Sequence, residues 1–163
     1  NTGHLTLSTL HTNDAASAIS RMYKMGIEPF LIAYSINIIL AQRLVRKLCD
    51  RCKAPVKEPD VVALTKLGLT SEEIEQSTFY RPVGCISCIK GYKGRTAIFE
   101  ALPFTKTIRQ TILQAGDVVD DDAIRRQALK RGMQTLRMSG LSLVKKGVTT
   151  LEEIASVTME DEE

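Results

Sequence analysis

Residues 2–48 read TGHLTLSTLHTNDAASAISRMYKMGIEPFLIAYSINIILAQRLVRKL, and their patterning sets the fold class. In HLTLSTL, residues 4–10, Leu5 and Leu7 alternate with threonine and serine, which predicts a strand. The polar residues HTND follow. They offer Asn13 or Asp14 as the cap of a helix whose apolar face carries Ala15, Ala18, Ile19, Met22 and Met25. Gly26 ends that helix by tolerating a positive φ. Pro29 opens a second helix at a position where its missing N–H is no loss, and the apolar run predicts that this helix continues to about Lys47. Strand, polar loop, helix and helix begin an α/β arrangement.

Cys49 breaks this pattern. Further on, Asp60 is placed to cap a short helix ending near Gly68, and Thr70 with Glu73 forms a capping box for another. RTAIFEAL, residues 95–102, reads as a strand closed by Pro103, after which Thr105 caps a helix ending at Gly116. Two further helices, Asp121 to Lys130 and Thr135 to Lys146, stop at Gly132 and Gly147. A capping box of Thr150 and Glu153 starts a last short helix with Leu151, Ile154 and Val157, and the tail MEDEE is expected to be a mobile acidic end.

The chain has 163 residues, of which 44% are hydrophobic and 25% charged, enough for an ordinary core and without a sign of disorder. Its 22 basic and 19 acidic residues leave a net charge of +3, too balanced to argue for nucleic acid or a membrane surface. The longest apolar stretch, Phe30 to Ala41, is interrupted by Ser35 and Asn37 and falls short of the roughly 20 residues of a bilayer crossing. Nothing near Asn1 reads as an export signal. All four cysteines sit in two CxxC pairs, a usage typical of metal binding in a reducing compartment, so a cytoplasmic location is expected.

The pairs are Cys49 with Cys52 and Cys85 with Cys88, separated by 32 residues. A two-residue gap lets both thiolates of a pair reach one ion from a tight turn, and two such knuckles complete the tetrahedron that Zn²⁺ prefers. Lys53 and Lys90 stand close enough in sequence to offset thiolate charge, and Gly84 and Gly91 permit tight turns. The competing readings are a thioredoxin-like redox pair and four unrelated buried thiols. A redox site calls for one CxxC at a helix start after a strand, so two separated pairs favour structural zinc.

His4 and His11 are the only histidines and flank a single predicted strand. Seven residues at about 3.3 Å each put them roughly 23 Å apart, too far to act on one atom. Ligands of parallel α/β sheets bind at the carboxyl ends of strands, which places His11, Thr12 and Asn13 where a phosphate can lie. Spacing alone favours the plainer reading of an edge residue and a helix-entry polar group.

TGHLTLSTLHTN (residues 2–13), AQRLVRKLC (41–49), GYKGRTAIFE (91–100) and RGMQTLRMSGLSLVKKGVTTLEEIASVT (131–158) resemble, in order, four features of the type II secretion and type IV pilus assembly ATPases, the GspE/PilB family. These are its histidine box, the lead into its cysteine motif, the segment after the second cysteine pair, and its C-terminal helices. The resemblance covers nearly the whole chain, the spacer from about Lys57 to Tyr80 being least diagnostic. It implies an α/β fold in three parts: the C-terminal part of a RecA-like P-loop NTPase core (1–48), a tetracysteine zinc-binding subdomain (49–91) and a mainly helical C-terminal subdomain (92–163). It further implies a homo-hexameric motor that uses ATP and Mg²⁺, works with secretion or pilus assembly components on an inner-membrane platform, and associates with that membrane through partners. The resemblance implies that His11 and His4 are the catalytic residues of the histidine box, His11 sensing or contacting the γ-phosphate and His4 supporting the strand beside the catalytic acid, with His11, Thr12 and Arg95 in nucleotide binding. Arg43, Arg46 and Arg95 match basic family positions near the core or the subunit contact, with a solvated face or an ordinary ion pair as their plainer reading, Arg46 above all.

No GxxxxGK[ST] loop and no apolar strand ending in an acidic pair occurs in the 163 residues, so the chain alone is expected to lack ATPase activity. Arg43, Arg46, Lys47, Arg51 and Lys53 form a local basic cluster whose plain reading is a solvated basic helix end, with acidic headgroups or an acidic partner as the alternative. Two other functions compete with the motor. One is a zinc-ribbon nucleic-acid module, disfavoured by the absence of tryptophan and of a basic stripe interleaved with aromatics. The other is a protein-interaction module in which zinc presents a surface.

Overall fold

The computed structural model describes residues 3–115 and 118–158. The elements are α1 (Ser17–Lys24), α2 (Pro29–Ser35), β1 (Ile38–Leu48), β2 (Ala54–Pro55), α3 (Val61–Lys66), α4 (Ser71–Glu75), β3 (Tyr80–Arg81), β4 (Tyr92–Pro103), α5 (Lys106–Leu113), α6 (Asp121–Lys130), α7 (Leu136–Lys145) and α8 (Leu151–Thr158). β1 pairs with β4 and β2 with β3, so helix and strand are mixed as an α/β reading requires. The chain divides into two units, Asn1–Ala41 with Glu100–Gln134 and Gln42–Phe99 with Thr135–Glu163.

In the first unit α2 packs on α5, α5 on α6, and α1 on both α2 and α6. Their apolar positions recur at helical spacing and meet in a core of Ile19, Ile32, Ile108, Ile112 and Ile124, all buried. Along β4, Ile98 and Leu102 are buried on the same face as Glu100, the two-residue period of a strand. Glu100 is not wasted there: its Oε1 accepts the Ala15 N–H at 3.0 Å. Asp14 supplies the expected cap by accepting the Ser17 N–H at 2.9 Å, and its other oxygen pairs with Arg125 at 3.0 Å. Buried carboxylates with such partners avoid the cost of an unpaired charge.

The second unit holds the long spacer between the cysteine pairs. β2 and β3 clasp its ends antiparallel, Ala54 opposite Arg81 and Pro55 opposite Tyr80. Within the clasp α3 packs on α4, burying Leu64, Leu69, Ile74 and Phe79. Asp60 caps α3 through the Ala63 N–H at 3.0 Å, and Thr70 and Glu73 form the expected reciprocal box. α7 and α8 pack so closely that a Cβ on Gly140 would lie 2.7 Å from Cγ2 of Ile154. Lys145 of α7 reaches Glu73 of α4 at 2.6 Å. This ion pair, aided by the Thr70 N–H, holds the Glu73 carboxyl well below its ordinary value, at about 2.

Several expectations change. Residues 4–10 form no strand, and Leu5 and Leu7 are 85% and 89% exposed. Alternation defines two faces but no neighbour, and no described strand pairs with this segment, so no ladder holds it extended. The second helix stops at Ser35 rather than near Lys47, and Ile38–Leu48 is β1. Leucine, glutamine, arginine and lysine in this stretch suit a helix locally, but Ile38, Ile39 and Val45 suit a pleated strand and β4 supplies its partner. The box at Thr150 is half made: Thr150 Oγ1 accepts the Glu153 N–H at 3.3 Å, while the Glu153 carboxylate accepts hydrogen bonds from Arg46. The expected stop at Gly116 and the acidic tail MEDEE lie outside the described residues.

Ile154 is fully buried and has no room to yield. Gly140→Val should therefore cost about 1–3 kcal/mol by overpacking, seen as a lower urea midpoint at unchanged slope. For Glu73, a folded value below the unfolded 4.5 means that its contribution is present above about pH 4.5 and is lost as pH falls toward about 2. The urea midpoints of the wild type and Glu73→Gln should differ by a constant amount above pH 5 and converge as the pH approaches 2. A gap that persists at the acid end would show that the ion pair is not its source.

Candidate metal centre

Cys49 directly follows β1, so the strand delivers it in a fixed direction. A tight turn returns the chain at once: the Cys52 N–H donates to the Cys49 carbonyl at 3.1 Å and the Lys53 N–H to the same carbonyl at 2.9 Å. The second pair repeats the turn, with the Cys88 N–H on the Cys85 carbonyl at 3.2 Å. Gly91 then takes φ +85° and approaches Pro82 so closely that a Cβ would lie 2.4 Å from that of Pro82. Only glycine meets both demands. Its carbonyl accepts the Cys49 N–H at 2.8 Å, and Arg51 donates to the Ser87 hydroxyl at 2.7 Å, so each turn is tied to the other.

The four sulfurs converge. All lie within 4.8 Å of one another, and the separations are 3.9 Å for Cys49 and Cys85, 3.7 Å for Cys52 and Cys88, and 3.6 Å for Cys85 and Cys88. A tetrahedron with metal–sulfur bonds of about 2.3 Å has edges of about 3.8 Å. The spacings match those edges and are far from the roughly 2.05 Å of a disulfide, and all four thiols are free. The donor set is therefore compatible with Zn²⁺, and four protein sulfurs leave no position open for a substrate.

Backbone N–H groups support the sulfurs, Gly84 donating to Cys52 at 3.3 Å and Cys85 to Cys88 at 3.2 Å. Burial among the other thiols pushes Cys52 up to about 11. At Cys88 burial acts the same way but is outweighed by hydrogen bonds from the Cys85 backbone and from Cys85 and Cys52, leaving it at about 7. Cys52 thus carries a proton that a bound metal would displace.

The other residues singled out by the sequence are spread through both units. His4 and His11 are exposed in the first, and the half-buried Thr12 donates its hydroxyl to the Asp14 carbonyl at 3.2 Å. Arg95 is exposed on β4 in the second. The basic cluster resolves into separate tasks. Lys53 binds Asp50 at 2.8 Å and the Gly147 carbonyl at 3.0 Å, so its charge serves those oxygens rather than the sulfurs. Arg43 is half-buried. Arg46 donates to Glu153 from Nε at 2.8 Å and from its backbone at 2.9 Å, and its guanidinium lies 4.2 Å from the centre of the Tyr92 ring. Burial works against the charged form of Glu153, but these bonds prevail and hold its carboxyl below the ordinary range. The sequence points to Glu153 only as half of a capping box, because its partner lies 107 positions away.

The profile of the Type II/IV secretion system protein family matches residues 1–156. The chain is 45% identical over 161 residues to the type IV pilus assembly ATPase PilB of Myxococcus xanthus, covering 98% of this chain and 28% of that protein. It is 46% identical over 160 residues to the PilB of Thermus thermophilus, covering 98% and 18%. To the type II secretion system protein E of Aeromonas hydrophila it is 43% identical over 162 residues, covering 98% and 31%. It thus spans under a third of the length of these relatives. With a profile match across almost the whole chain and these identities along it, the protein belongs to the type II/IV secretion system protein family.

Proposed function

We propose that this chain is the C-terminal portion of a hexameric motor that hydrolyses ATP to drive pseudopilus assembly in type II secretion or type IV pilus assembly. The observation that carries this reading is the similarity, over 98% of the chain, to proteins named for those two tasks. On this reading residues 1–48 complete a RecA-like core, residues 49–91 form a zinc subdomain and residues 92–163 a helical one. Cys49, Cys52, Cys85 and Cys88 would hold Zn²⁺, which supplies rigidity rather than chemistry. ATP and Mg²⁺ would bind where the longer protein provides its phosphate loop, with His11 and Thr12 reaching the nucleotide. The motor would work in the cytoplasm on an inner-membrane platform. No helix among the described residues is long and apolar enough to cross a membrane.

A second reading, protein interaction, operates inside the first. Ile86 and Ile89 on and beside the second knuckle are 104% and 81% exposed, and Val83 is 55% exposed. Branched aliphatic side chains held in water on a stapled turn suit an apolar partner surface better than nucleic acid, which calls for stacking aromatics.

Two measurements test the proposal. Metal analysis of the purified chain should find about one zinc per molecule, falling sharply in Cys52→Ser; metal-free folded protein with these cysteines in disulfides would sink the zinc assignment. In the longer protein with its phosphate loop, His11→Ala should lower ATP turnover at least about tenfold, as expected for losing a contact to the transferred phosphate, while the chain alone shows none. Unchanged turnover in His11→Ala would remove His11 from the nucleotide site.

A further inference from the structure

We infer that metal loading at the four cysteines and docking of the α7–α8 pair are thermodynamically coupled, with Arg46 as the residue that positions one against the other. The inference rests on the zinc reading of the cysteines and adds a route from the metal to helices that supply no ligand.

Arg46 lies on β1 three positions before Cys49, which directly follows that strand, too close for one to shift without the other. Its backbone N–H is held by Glu153 Oε1 at 2.9 Å and its carbonyl accepts the Thr149 hydroxyl at 2.8 Å. Its guanidinium donates to Glu153 Oε2 from Nε at 2.8 Å and from Nη2 at 2.5 Å. Glu153, only 7% exposed, lies in the first turn of α8, so one carboxylate grips both the backbone and the side chain of one strand residue.

The second knuckle joins the same contact from its other side. Tyr92 lies four positions after Cys88, stacks under the Arg46 guanidinium at 4.2 Å, and bonds through its hydroxyl to Thr150 Oγ1 at 3.0 Å. Thr150 in turn caps α8 by accepting the Glu153 N–H. The ties extend along the segment before α8: the Leu48 N–H donates to the Val148 carbonyl at 2.8 Å, and Lys53 to the Gly147 carbonyl at 3.0 Å. Gly147 itself sits where a Cβ would strike the Tyr80 ring at 2.7 Å. The flanks of both knuckles therefore converge on residues 147–153. A metal that fixes Cys49 and Cys88 relative to one another also fixes Arg46 and Tyr92, the two jaws that hold the start of α8.

Coupling of this kind is reciprocal: whatever the metal contributes to helix docking, helix docking contributes to metal affinity. Removing Glu153, which touches no ligand, should therefore weaken zinc. Competition with a chromogenic chelator should show Glu153→Ala raising the zinc dissociation constant by about 5- to 150-fold, with Glu153→Gln, which keeps an acceptor for the Arg46 N–H, showing a smaller rise. In the wild-type chain, hydrogen exchange with and without EDTA should show the amides of α8 losing protection together with those of the knuckles. This second measurement stands even if Glu153→Ala does not fold. Zinc affinity unchanged in both variants, or α8 amides still protected after EDTA has stripped the metal, would overturn the coupling while leaving the zinc site intact. A wild-type chain without zinc would remove the zinc reading, and this inference with it.

Discussion

Two tight turns 32 residues apart must deliver four sulfur atoms to one point, and most of the second unit is built to satisfy that demand. β1 aims the first turn, the β2–β3 clasp returns the spacer to the second, and the Cys49 N–H on the Gly91 carbonyl sets the turns side by side. Four thiols at tetrahedral spacing are poorly solvated donors crowded together, a costly arrangement in the absence of a shared partner. Arg46, Tyr92 and the 147–153 segment form the outer brace of the same construction.

What the sequence made legible was local. A CxxC pair, an aspartate or threonine three residues before the N–H it caps, and a glycine where a helix stops each act over a few positions. The Asp60 and Thr105 caps, the Thr70 box and all four cysteines accordingly take the geometry expected of them. The Glu153 carboxylate is the instructive failure. A capping box and a salt bridge compete for it, and only the fold, by bringing Arg46 within 3 Å, decides between them.

The misread segments failed for a related reason. Residues 4–10 alternate like a strand, yet alternation needs a neighbouring strand to become structure. Residues 38–48 are rich in helix-forming side chains, yet the chain holds them extended because β4 lies alongside. Strand formation is decided by partners distant in sequence, whereas helix caps are decided on the spot. The exposed leucines at 5 and 7 show the consequence at the level of packing, since apolar side chains patterned for burial remain in water.

The β2–β3 clasp has an implication for how such chains diversify. Because Ala54 and Pro55 pair directly with Arg81 and Tyr80, the excursion between them is closed at its base and has its own small core. Doubling the length of a loop closed in this way costs only about 0.6 kcal/mol of closure entropy. The turns of residues 57–79 that lie outside α3 and α4 can thus lengthen over evolutionary time while the clasp keeps the metal-bearing turns in place, which makes them a natural place to splice in a reporter.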